Sequence, residues 1–177
     1  ENGSDSPLLV LLCDLLDMFP QLLPAQYDSV NVQGKPEIYC GLLTVVLLPL
    51  FYMNSNISRR KKCGYTLLML VMITCMMITP IDMMWHGGQV PNWLPYSFLL
   101  SFIFLTMGAT AFANCKGIKG KHLIGSAGVM VVIIAIVAGM KFDQMAKGAV
   151  WISAALMGIY LILLYFMVCG SASKGKK

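Results

Sequence analysis

The side chains best equipped for chemistry gather in one polar stretch, Asp82-Met-Met-Trp-His-Gly-Gly-Gln-Val-Pro-Asn-Trp-Leu-Pro-Tyr96. It holds a carboxylate (Asp82), an imidazole (His86), two indoles (Trp85, Trp93), a phenol (Tyr96) and two amides (Gln89, Asn92). Amides and carboxylates hydrogen-bond hydroxyl groups while flat rings cover apolar sugar faces, so the set suits a carbohydrate. Gly87 and Gly88 permit tight backbone, and Pro91 and Pro95 stiffen it. An aromatic belt at headgroup depth would explain Trp85, Trp93 and Tyr96 equally well, but it gives no reason for Asp82, His86, Gln89 and Asn92. Asp82 follows Pro80 at the end of an apolar block, where a carboxylate is costly unless hydrated or paired. His86 titrates near neutral pH and suits proton transfer or phosphate binding, with a purely structural role as the other reading.

Asp14 and Asp17 lie one turn apart in the apolar run Leu8 to Phe19, which starts with the helix-capping sequence Asp5-Ser6-Pro7 and stops at Pro20. About a dozen residues cannot cross a bilayer, so the run predicts an interfacial or re-entrant helix. Its acidic face suits protein, water or a cation rather than anionic lipid. Asp14, Asp17 and Asp82 are therefore the candidate catalytic carboxylates. The six cysteines show no CxxC and no zinc-type spacing with histidine, and they read as small apolar residues. No nucleotide loop, nucleophile elbow or metalloprotease helix occurs, and neither a metal nor a cofactor site is evident.

These side chains need a scaffold, and the composition says which kind. Hydrophobic residues make up 58% of the chain and charged ones 12%, against roughly a quarter charged in a soluble domain. The apolar residues come in blocks matching the roughly 20 residues a helix needs to cross hydrocarbon, without the alternation of a barrel strand. The reading is all-α: a polytopic transmembrane bundle with spans near 38–53, 65–84, 95–115, 123–142 and 149–169, preceded by an outer-face segment 1–37 and followed by a basic tail 170–177. Pro49 sits inside the first span and Pro80 interrupts the second.

The net charge of +5 does not indicate nucleic acid, because most cations sit in three runs at span ends: Arg59 to Lys62, Lys116 to Lys121, and Lys174 to Lys177. Under the positive-inside rule these ends are cytoplasmic, which leaves the N-terminal segment and residues 82–96 outside in a multi-pass cell-membrane protein. His122 beside Lys121 belongs to the basic anchor. The basic runs also suit anionic lipid headgroups or a lipid phosphate, although topology alone accounts for them. Gly108, Gly125, Gly128, Gly139 and Gly158 predict close helix packing.

Two motifs resemble signatures of YfhO-family bacterial membrane proteins: Gly34-Lys-Pro-Glu-Ile-Tyr-Cys-Gly41 and Trp85-His-Gly-Gly-Gln-Val-Pro-Asn-Trp-Leu-Pro-Tyr96, with Leu22-Leu-Pro-Ala-Gln-Tyr-Asp-Ser29 ahead of them. The resemblance covers residues 7 to about 115, and the last two spans match in hydropathy alone. It implies a GT-C-type membrane glycosyltransferase that moves a sugar from a polyprenyl-phosphate donor to a cell-wall polymer, teichoic or lipoteichoic acid, on the outer face. It adds Tyr39, in the first motif, to the candidate substrate-binding residues. It also implies that this chain is an internal or C-terminal fragment, lacking the catalytic Asp of the family's first outer loop. One departure stands out: where the family pattern continues with Arg and an aromatic residue, Ser97 precedes Phe98, so a cation suited to a donor phosphate is missing. The alternative is a non-catalytic membrane module of a transporter, flippase or cell-envelope scaffold. Spans four and five carry few of the mid-membrane polar groups that transport favours.

Overall fold

Apolar blocks with no polar face leave the backbone to satisfy its own hydrogen bonds, and helices do this within one segment. The computed structural model describes residues 19–24, 38–77, 97–139 and 147–174, and all regular structure in them is helical. Five α-helices fall on the five apolar blocks: α1 (Leu42–Met53), α2 (Arg59–Met77), α3 (Ser97–Ala113), α4 (Gly120–Gly139) and α5 (Lys147–Lys174), with 3-10 turns at Pro20–Leu22 and Cys115–Gly117. Two stretches among the described residues are long and apolar enough to cross a membrane, Gly120–Gly139 in α4 and Gly148–Val168 in α5. Helices α1 and α3 are apolar but shorter. The expected interfacial helix, apart from Phe19, lies outside the described residues.

Helix α1 is the centre of the body, packing against α3, α4 and α5, while α2 packs on α3 and α4 on α5. At 12 residues it buries Leu42, Thr44, Val45, Val46, Leu47, Leu50 and Phe51. A helix apolar on nearly every side suits a protein core or lipid, and α1 takes the core. The helix runs through Pro49 without interruption. Leu22 and Leu23 of the expected outer loop join this core, and Leu23 is fully buried.

Lipid tails are as apolar as leucine, so helices inside a membrane associate through close packing and hydrogen bonds rather than through escape from water. Both are visible around α1. Ser126 Oγ of α4 donates to the Val46 carbonyl at 2.8 Å, buried from solvent. A side chain on Gly108 of α3 would meet Thr44 Cγ2 at 3.1 Å, so the missing Cβ lets α1 and α3 approach. Gly125 lies against Met53 in the same way, whereas Gly128, Gly139 and Gly158 face open space. The expected packing role therefore holds at Gly108 and Gly125 and not at the other three. Large apolar side chains also point outward, including Ile124 at 75%, Trp151 at 71% and Phe166 at 66% exposure. That pattern suits a lipid surround.

The turns joining α1 to α2 and α3 to α4 lock together. Asn54, fully buried just after α1, donates from Nδ2 to the Asn114 carbonyl at 2.8 Å, and its Oδ1 accepts the Asn56 backbone N–H at 2.9 Å. Gly117 sits against the Asn54 and Asn56 side chains so closely that any Cβ there would collide with them. Lys62 Nζ donates to the carbonyls of Tyr52 at 2.6 Å and Asn54 at 2.8 Å, capping the end of α1. Thr66 uses its hydroxyl proton on the Lys62 carbonyl at 2.8 Å, so the Tyr52 hydroxyl donates to Thr66 Oγ1 at 3.0 Å. The Phe51 ring stands edge-on to both Tyr52 and Tyr65, with centroids 5.4 and 5.6 Å away.

This knot fixes direction. Helices α1 and α3 both end at it, so they run parallel, and α2 and α4 both start from it. Gly120 to Ala127 of α4 line one groove with Leu161 to Phe166 of α5, which makes that pair antiparallel. The runs Arg59 to Lys62 and Lys116 to Lys121 therefore share one end of the body with the last turns of α5. Cations even extend into helix: α2 starts at Arg59, ahead of the apolar span expected from residue 65, with Ser58 Oγ accepting the Lys61 N–H at 3.4 Å.

Candidate functional site

At the opposite end, the residues leading into α1 meet the first half of α3. Residues 38–40 carry no regular structure, and Gly41 turns the chain into α1 at φ +85°, a left-handed conformation that glycine adopts without strain. Its carbonyl then accepts the Val45 N–H at 3.2 Å, the first hydrogen bond of the helix. This turn directs Tyr39 and Cys40 toward α3. On α3, Phe98, Ser101, Phe102 and Leu105 follow the spacing that puts four side chains on one helical face.

Tyr39, Cys40 and Gly41 enclose an open hollow of about 410 Å³ with these four residues. Tyr39 is 45% exposed, and Phe98 and Phe102 are exposed at 63% and 61%. Ser101 Oγ is shielded from solvent and makes no hydrogen bond. A buried hydroxyl without a partner is costly, and this one lies beside a hollow walled by three aromatic rings. The chemistry on display is binding: flat apolar faces, a hydroxyl and the Cys40 thiol.

The hollow takes in the end of the first motif. Tyr39-Cys40-Gly41 closes the first motif, and Phe98 lies two residues beyond the end of the second. Of the candidate site residues, Tyr39 is placed here. Asp14, Asp17, Asp82, Trp85, His86, Gln89, Asn92, Trp93 and Tyr96 lie outside the described residues, as does every other Asp and Glu of the chain. Ser97, at the position where a cation was missed, starts α3 and is buried at 3% exposure, a setting that suits a small hydroxyl better than a guanidinium.

Phe98, Ser101 and Phe102 escaped notice as sequence. The signal was their shared face on α3, yet the rest of that helix is equally apolar and nothing marks one face from another. Cys40, Cys63, Cys75 and Cys115 form no disulfide; Cys40, Cys75 and Cys115 are half-buried, whereas Cys63 is exposed. His122, assigned to the basic anchor, receives the Lys119 backbone N–H on Nδ1 at 3.3 Å and so closes the first turn of α4 from within.

An all-helical body with large apolar side chains outward and two stretches of membrane-crossing length suits a helical membrane protein. The chain belongs to a family of bacterial membrane proteins: the family model described as bacterial membrane protein YfhO matches residues 9–176. The match runs well past the two motifs and takes in α4 and α5, which hydropathy alone had linked to the family. No curated protein and no solved structure matches the chain.

Proposed function

We propose that this chain forms part of a membrane glycosyltransferase that moves a sugar from a polyprenyl-phosphate donor to a cell-wall polymer such as teichoic or lipoteichoic acid. In this reading α1 to α5 are five spans of the cell membrane, with the basic knot in the cytoplasm. The hollow and residues 82–96 then face outward, where Trp85, His86, Gln89, Asn92, Trp93 and Tyr96 join Tyr39 in holding sugar or acceptor. Family membership supports the reading through what the two motifs imply. The observation that carries it is the aromatic hollow that the end of the first motif forms with one face of α3, beside the unpartnered Ser101 hydroxyl.

Glycosyl transfer with inversion needs a general base on the acceptor hydroxyl and departure of the donor phosphate. Within the hollow no side chain suits that base, so Asp14, Asp17 and Asp82 stay the carboxylate candidates. Membranes carrying the full-length protein, loaded with radiolabelled polyprenyl-phosphate sugar, test the reading through label recovered in the teichoic acid fraction. Wild type transfers label, and Asp82→Asn, His86→Ala and Tyr39→Ala each lower transfer by about tenfold or more. Transfer left intact by all three removes this end from the mechanism. Absence of transfer from any donor points instead to the non-catalytic module.

A further inference from the structure

A second hollow lies at the other end of the body, and its chemistry differs. It is an open groove of about 370 Å³ between α4 and α5, walled by Gly120, Ile124 and Ala127 on one side and Ile162, Tyr165 and Phe166 on the other. Its mouth is Gly120, the first residue of α4, flanked by the exposed Lys119 and Lys121. Helix α5 packs against the 3-10 turn that carries exposed Lys116. Three cations thus cluster around the end of an apolar slot.

We propose that this groove binds an anionic phospholipid, with one acyl chain between α4 and α5 and the phosphate held by Lys119 and Lys121. The groove's lining argues for an acyl chain: the walls are apolar almost throughout, which matches a hydrocarbon chain along its whole length. Charge argues for an anionic headgroup, since basic residues at a membrane surface attract anionic lipids and barely discriminate for zwitterionic ones. The proposal needs only that this end of α4 and α5 meets a membrane surface. It is independent of sugar transfer, and the test below reads lipid binding alone.

Native mass spectrometry of the full-length protein, titrated with phosphatidylglycerol and with phosphatidylcholine of identical acyl chains, measures the preference. Wild type retains phosphatidylglycerol about tenfold better. The double variant Lys119→Gln, Lys121→Gln brings the two lipids level while both still bind. Ala127→Phe fills the groove and lowers retention of both, and Val132→Phe, exposed on α4 away from the groove, changes neither. Equal retention of the two lipids by wild type overturns the proposal, as does an Ala127→Phe variant that behaves like Val132→Phe. Should Ala127→Phe not fold, a photoreactive group at Ile162 decides: a phosphatidylglycerol adduct supports the groove, and capture of protein in its place overturns it.

Discussion

At the basic end of the body, Asn54, Lys62, Thr66 and Asn114 all direct side-chain donors to backbone carbonyls, and Gly117 is held so tightly that no larger residue fits. At the opposite end Tyr39, Phe98 and Phe102 stand exposed around a serine hydroxyl with no partner. The knot satisfies its polar groups within the chain, whereas the aromatic end leaves one buried hydroxyl without a partner.

Substitutions can break this contrast. Gly117→Val should be the most damaging, because its Cβ overlaps the buried Asn54 side chain; overpacking together with lost hydrogen bonds should cost about 3 kcal/mol in unfolding followed in detergent. Asn54→Leu should cost about 2 kcal/mol, since the Asn56 N–H and the Asn114 carbonyl lose a partner. The two losses should fall short of additivity by about 1 kcal/mol in the double variant, because both act through one contact. Lys62→Met keeps the aliphatic stem and loses the cap on α1, for about 1 kcal/mol at this half-exposed site. Ser101→Ala should stay within about 0.5 kcal/mol of wild type yet lower sugar transfer. A large stability loss from Ser101→Ala would erase the distinction between the ends.

Much of the scaffold was legible in the sequence for a simple reason. Apolar blocks near membrane-crossing length, bounded by Pro, Gly and basic runs, leave helices as the natural outcome, and all five blocks contain one. Contacts between distant positions were not legible. The Asn54 bond to Asn114 joins turns 60 residues apart, and each turn alone reads as a polar connection. Nor can sequence separate Gly108, which lets α1 touch α3, from Gly158, which touches nothing. Both are glycines in apolar helices, and in a membrane the lipid-facing side of a helix is as apolar as the packed side. The same ambiguity hid Phe98, Ser101 and Phe102. Of the two signature motifs, the first ends at Gly41, where α1 begins, and the second lies outside the described residues.

The central claim is that the two ends face opposite sides of the membrane, with the hollow outside. Cysteine labelling in intact cells tests it most directly. In full-length protein freed of its other cysteines, Asn92→Cys should react with a membrane-impermeant maleimide added outside. Ser55→Cys, exposed in the turn beside the knot, should react only after the membrane is permeabilised. Labelling of Ser55→Cys in intact cells, with Asn92→Cys protected, would contradict the account.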